Sequence, residues 1–311
     1  MAIFLVLFIT FYLLSAFTLL FIKTRWGLRL IAAINVAIIA ALVATFAWEA
    51  LPLLERDGLA VFVNSDWDPP RESYGVLNAL VGTLITSAIA ITVAMPLAVG
   101  VAVTINEMLP QRLRGVFGAL NDLTAAMPTV IYGLWGLFVL GPVLQSVVNT
   151  VSTWLGFGEV MTAPLTLFTA AILLAIMITP YAAAVIREGY ALVPRHIEEA
   201  IYAIGATKFE AVLVKLRYVK NYIFGGLFLA LGRAMGETVA VAMVVGGNFA
   251  RFTLNPFESG ITISSLIALQ FPNAHSYQFM VPALFAGALL LAVVGLAINA
   301  VAIYILQRAT T

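Results

Sequence analysis

The feature that most constrains this chain is a series of apolar runs, each about as long as a bilayer is thick. A helix needs about 20 apolar residues to cross the hydrocarbon core, and only a helix or a closed barrel satisfies its backbone there. Seven stretches qualify, at about 3–22, 28–50, 76–105, 115–148, 164–186, 221–248 and 279–306. An all-α polytopic membrane protein follows. Composition agrees, since 62% of residues are apolar and 10% charged, against about 25% charged in a soluble domain.

Orientation is read from the basic residues, which favour cytoplasmic loops. With Lys23, Arg25 and Arg29 placed inside, the later inner loops hold Arg112 and Arg114, then Arg187, Arg195, Lys208, Lys215, Arg217 and Lys220, then Arg308. Only Arg56, Arg71 and Arg251 fall outside, and Arg233 lies within a span. This bias predicts a bacterial cytoplasmic membrane protein with its N-terminus outside and its C-terminus inside. The first run has no preceding basic residue and no small-x-small cleavage pattern. It is therefore expected to stay as an extra N-terminal transmembrane helix, with its basic loop spanning 1–27, ahead of a domain over 28–311.

Several chemistries are excluded. The chain has no cysteine, and its two histidines, His196 and His275, lie in separate loops, so no thiol, haem or metal site is expected. A net charge of +1 says nothing about nucleic acid or acidic partners, and no nucleic acid is expected among the partners. No Gly-x-x-x-x-Gly-Lys-Ser/Thr segment occurs, so any ATP is bound by another chain.

Polar residues inside the apolar runs mark where regular spanning helices fail. Asp68-Pro69-Pro70 predicts a turn in the first outer loop, with Trp67 and Tyr74 as interfacial anchors or as contacts for an external partner. Gly82, Thr83, Thr86 and Ser87 allow either close helix contact or a wet path. Asp122, six residues before Pro128, predicts a broken helix, with Asp122 either capping or docking a loop or lining a path. Arg233 and Glu237, four residues apart, share one face of a continuous helix and can pair. Both must avoid lipid. Either they lock two helices together or they belong to a path, where an arginine offers a planar donor array to an oxyanion and Glu237 moderates its grip. Thr238 can add a hydroxyl, and Gly232 and Gly236 form a Gly-x-x-x-Gly packing step.

The segment 187–220 carries six of the sixteen basic residues, more than any other loop. Within it, Glu199-Ala200-Ile201, three further residues and Gly205 resemble the Glu-Ala-Ala-x-x-x-Gly loop of ABC-importer permeases. That resemblance implies short helices that dock on an ATPase subunit, with Glu199, Ala200 and Gly205 fixing the turn and the contact. Lys215-Leu216-Arg217-Tyr218 stands where the pattern has Ile-x-Leu-Pro, a departure that leaves the exit from this loop open.

Further runs are similar to those of phosphate-specific permease subunits, the PstC family. They are Trp67-Asp68-Pro69-Pro70 with Tyr74-Gly75, the segment from Met127 to Phe138, Ala175 to Pro180, and Leu231 to Thr238. The resemblance implies a type I ABC-importer permease fold with six core transmembrane helices plus the extra N-terminal one. It also implies a PstA-like second permease subunit, an ATPase dimer that binds ATP and Mg, and an external phosphate-binding protein. This chain would be no catalyst and would hold no cofactor itself. Arg233, Glu237 and Thr238 then become the expected substrate path. A permease for another oxyanion, such as sulfate or molybdate, shares the loop; a proton-coupled carrier or membrane enzyme would need more intramembrane acids, a histidine pair or a nucleophile with a base.

Overall fold

The computed structural model describes residues 25–249 and 251–310. The first apolar run, at 3–22, lies outside the described residues. Contacts divide the chain into units at Met1–Glu49 and Ala50–Thr311. The first unit contributes most of α1 (Arg25–Asp57), which enters the second with its last turns.

The second unit is built on α3 (Leu77–Val103) and α7 (Leu167–Ala191). Along α3 the buried positions Ala79, Thr83, Ser87, Ala90, Ala94, Ala98 and Ala102 recur every three or four residues. They make one face of small side chains, which lets a neighbouring backbone come close. The core of Ala90, Ala94 and Ala98 with Leu173, Leu174, Ile178 and Ala182 fills that approach. Gly82 and the threonines serve close contact: a Cβ at Gly82 would lie 2.0 Å from the Ile261 carbonyl oxygen. Beside it, the Thr83 hydroxyl accepts from the Ile263 N–H at 3.0 Å.

The outer hairpin corrects one expectation. After the short α2 (Ala60–Val63), β1 (Trp67–Asp68) and β2 (Ser73–Tyr74) pair antiparallel around Pro69–Arg71. Asp68-Pro69-Pro70 does form the turn. Trp67 and Tyr74, however, are 5% and 2% exposed and meet edge to face at 5.2 Å. They are core residues, packed with Val61, Ala79, Ile261 and Ala283, rather than interfacial anchors. Glu72, in the left-handed region at φ 52°, accepts from the Gln278 and Phe279 N–H groups at 3.1 and 3.4 Å. Its carboxylate thus sits at the start of α13 (Met280–Thr310), where a helix favours negative charge.

The fourth apolar run is broken where Asp122 and Pro128 predicted. α4 (Gln111–Ala125) ends, and a second rod begins as α5 (Thr129–Trp135) and runs through a π-helical turn into α6 (Gly141–Trp154). The crossing helix therefore spans Thr129–Trp154, not 115–148. Asp122 docks: both its oxygens accept from Arg187 Nη2 at 2.9 Å, tying α4 to α7. The sixth run also divides, into α10 (Lys220–Gly236) and α11 (Val239–Val244). Within the expected outer loop lies a further buried helix, α12 (Ile263–Gln270), with Ile263, Ser264, Ser265 and Leu266 inside the protein.

Candidate functional site

The break between α10 and α11 decides how the predicted path residues stand. Arg233 occupies the last turn of α10, while Glu237 and Thr238 lie in the non-helical link. Continuous-helix geometry is therefore lost, and the expected Arg233–Glu237 pair does not form among the described residues. Glu237 turns instead toward α11, accepting from the Ala240 N–H at 3.5 Å, and the Thr238 hydroxyl donates to the Gly236 carbonyl at 3.1 Å. The Met235 carbonyl, freed by the break, accepts from the buried Ser264 hydroxyl of α12 at 3.0 Å. The backbone that the break exposes is thus partly satisfied by side chains, as burial requires.

Arg233 has an aromatic partner that sequence reasoning missed. Its guanidinium carbon stands 4.1 Å from the centre of the Tyr181 ring, close enough for the ring face to attract the cation. Its Nε is buried with no hydrogen-bond partner, and no carboxylate pairs with it among the described residues. The Tyr181 hydroxyl donates to the Ala125 carbonyl, and Asn121 Nδ2 donates to the Pro180 carbonyl at 3.1 Å. Tyr132 closes the same corner by donating to the Thr124 carbonyl at 3.0 Å. The ring under Arg233 is therefore tied to the broken end of α4. The signal lay in Pro180-Tyr181, one residue beyond the Ala175 to Pro180 run already singled out.

Gly232 and Gly236 do not pack a helix among the described residues. A Cβ at either would meet nothing within 4 Å, and both are exposed. The close approach on α10 is at Gly226, where a Cβ would stand 3.1 Å from the Ala182 carbonyl oxygen.

At the opposite, basic end, the 187–220 segment forms two short helices, α8 (Arg195–Ala203) and α9 (Lys208–Tyr218). Gly205 turns the chain between them at φ +82°, a conformation that costs glycine little and other residues more. Thr207 and Glu210 then start α9 with a reciprocal capping box. The Glu210 carboxyl is held below its usual range by the backbone N–H and hydroxyl of Thr207. Glu199, Ala200 and Gly205 all face outward, while Ile201 turns in. Beside them Ile204 is 85% and Phe209 71% exposed. A shallow hollow of about 650 Å³ between α8 and α9 is lined by His196, Ala200, Ile204, Gly205 and Val214. Exposed apolar groups around a turned glycine make a surface suited to a protein partner.

Lys215 explains part of the departure from Ile-x-Leu-Pro. Its side chain is 4% exposed, and its ammonium donates to Glu107 at 2.6 Å and to Glu198 at 2.7 Å. Burial lowers its pKa, but the two carboxylate bonds outweigh that and hold it above the usual lysine value. No account of Arg217 or Tyr218 follows from their surroundings.

A bundle of apolar helices with a helix-turn-helix at its basic end is the architecture of an importer's membrane subunit. The solved alginate ABC transporter, in complex with its alginate-bound periplasmic protein, matches 92% of this chain and 96% of its own at a TM-score of 0.60 and 18% identity. The inward-facing MetNI methionine transporter matches at a TM-score of 0.55 and 17% identity, covering 76% of this chain and 95% of its own. The chain belongs to the family described as the binding-protein-dependent transport system inner membrane component, which matches residues 90–311. Among curated relatives, the probable phosphate transport system permease protein PstC of Methanocaldococcus jannaschii is 40% identical over 85% of this chain and 86% of its own length. The phosphate transport system permease protein PstC of Mesorhizobium japonicum is 38% identical over 84% of this chain and 81% of its own. The chain is a multi-pass membrane subunit of an ABC importer and not itself a catalyst.

Proposed function

We propose that this permease moves inorganic phosphate across the cytoplasmic membrane, driven by ATP hydrolysis on separate subunits. The observation that carries this reading is the likeness to phosphate transport permeases over most of both chains. A PstA-like second permease, an ATPase dimer holding ATP and Mg, and an external phosphate-binding protein complete the machine. The basic end with α8 and α9 faces the cytoplasm, the N-terminus lies outside, and the C-terminus inside.

Arg233, Glu237 and Thr238 line the path in this reading. An arginine without a carboxylate partner, seated on an aromatic face, keeps its charge available to the oxygens of a tetrahedral anion. Glu237 stands one helix break away, so repulsion between its charge and the anion limits residence and favours onward movement. Glu199, Ala200 and Gly205 present the surface that docks on the ATPase, while Gly232 and Gly236 leave the α10 face open to a helix of the second permease.

The test is labelled-phosphate uptake into proteoliposomes holding the whole complex, with the external binding protein added. Uptake is expected to require both ATP and the binding protein and to persist in excess sulfate or molybdate. Equal competition by either anion overturns the assignment to phosphate.

A further inference from the structure

Lys215 joins three chain segments on one ammonium. It extends from α9, and its two acceptors come from elsewhere: Glu198 from the first turn of α8, and Glu107 from the π-helical turn Thr104–Met108 that ends α3. Both bonds are short, as charge-assisted bonds are. A fourth element, α7, places the Tyr190 ring 5.8 Å from the ammonium. Beneath lies a small apolar core of Val103, Tyr190 and Val219, which excludes water from one side of the cluster. Glu107 is 11% exposed and Glu198 43%, so the link to α3 is the more deeply buried.

The position of Glu198 gives the cluster its meaning. It adjoins Glu199 and Ala200, but where those two face outward, Glu198 turns toward Lys215. One short helix thus offers one face to the outside and holds the end of α3 through the other. Since α3 lines the core against α7, a shift of α8 cannot proceed independently of α3 while both bonds hold.

We propose that Lys215 is a positioning residue that binds α8, α9 and the end of α3 into one mechanical unit, passing displacement of the ATPase-docked α8 to α3. The proposal rests on the reading of α8 as the docking helix. Ionic linkage suits this task, because a movement that parts Lys215 from Glu107 strands two enclosed charges rather than simply loosening a contact.

The experiment exploits the absence of cysteine from the chain. Spin labels at Met108→Cys and Arg195→Cys report the distance between the end of α3 and α8 in the complete reconstituted complex. In the otherwise native chain the distribution is expected to be narrow and equally so without nucleotide and with ATP trapped. In Lys215→Met it is expected to broaden, and phosphate moved per ATP hydrolysed to fall by about tenfold, within the usual range of coupling between sites. Glu198→Gln, the milder variant, keeps the complex assembled and is expected to lower that ratio without lowering ATP hydrolysis. Lys215→Met combined with Glu107→Gln removes the stranded charge and is expected to recover thermal stability but not the transport ratio. Full recovery of the ratio in that double variant, or an unchanged distribution and ratio in Lys215→Met, overturns the proposal. A cross-link from Ile204→Cys to the ATPase in the native complex tests the docking reading separately; its absence overturns that reading and the transmission step built on it, while the label widths still report the rigid unit.

Discussion

Lys215 and Arg233 have opposite surroundings. Lys215 is enclosed, with both of its hydrogen-bonded partners carboxylates, whereas Arg233 rests on the Tyr181 ring and forms no ion pair among the described residues. A buried charge with full ionic partners is fixed, because any movement breaks short bonds and strands charges. A charge held by an aromatic face keeps its hydrogen-bonding capacity for something else. In the functions proposed above, the first cation transmits force and the second meets the anion.

The sharpest way to break this contrast is to remove the enclosed charge. Lys215→Met leaves Glu107 buried without its cation and is expected to lower stability by about 3 kcal/mol, read from thermal unfolding in nanodiscs. An unchanged midpoint would mean that water already reaches the cluster.

Next comes the floor beneath the other cation. Tyr181→Leu removes the ring and is expected to weaken phosphate uptake several-fold, in keeping with about 1 kcal/mol or more for a cation on an aromatic face. Tyr181→Phe keeps the ring and loses only the bond to Ala125, so uptake should stay closer to native. Equal losses would show that the hydroxyl, rather than the ring, positions Arg233.

The turn that orients the enclosed cluster gives a smaller effect. Gly205→Ala forces alanine to φ +82° and is expected to cost about 1 kcal/mol, visible as faster proteolysis between α8 and α9.

Smallest is the dependence on pH. The Glu210 carboxyl is lowered, so the cap it makes contributes above the ordinary value of 4.5 and is lost as pH falls through the lowered value. Lys215 is raised, so its contribution is complete below the ordinary 10.5 and is lost as pH rises through the raised value. Proteolysis of the α8–α9 turn should therefore quicken in acid, and the lysine's share of the α3 contact should be lost only in strong alkali.

How much of this was readable in advance follows from which physical signals are local. Run length located the crossing helices expected at 28–50, 76–105, 164–186 and 279–306 but missed the bounds of the one at 115–148 and the division of the one at 221–248, and Asp122 with Pro128 located the break before α5, a signal that acts within a few residues. The turn between α8 and α9 was legible through the resemblance of Glu199-Ala200-Ile201 and Gly205 to the permease loop, and Gly205 takes a positive φ there. Trp67 and Tyr74 misled, because an aromatic at a membrane boundary and one in a core look alike in sequence. The pairing of Arg233 with Glu237 failed for a related reason: four-residue spacing implies contact only if the helix continues, and no proline marks the break. Glycine is a weak helix former, so Gly236 at the end of α10 fits the interruption better than it fits a packing step. The enclosure of Lys215 depends on Glu107, more than a hundred residues away in the chain, and only the fold brings them together.

The measurement that tests the contrast most directly compares Arg233→Gln and Lys215→Met in the same reconstituted complex, following phosphate uptake and binding-protein-stimulated ATP hydrolysis together. Arg233→Gln should lose uptake by roughly ten- to a hundredfold, as removal of a charged hydrogen-bonding group implies, while stimulated hydrolysis and assembly remain. Lys215→Met should instead keep hydrolysis and lose the link between hydrolysis and uptake, with recovery when phosphate entry is followed in a variant whose α3 and α8 are cross-linked. Undiminished uptake with Arg233→Gln would contradict the account, since the cation without an acid would then have no part in moving the anion.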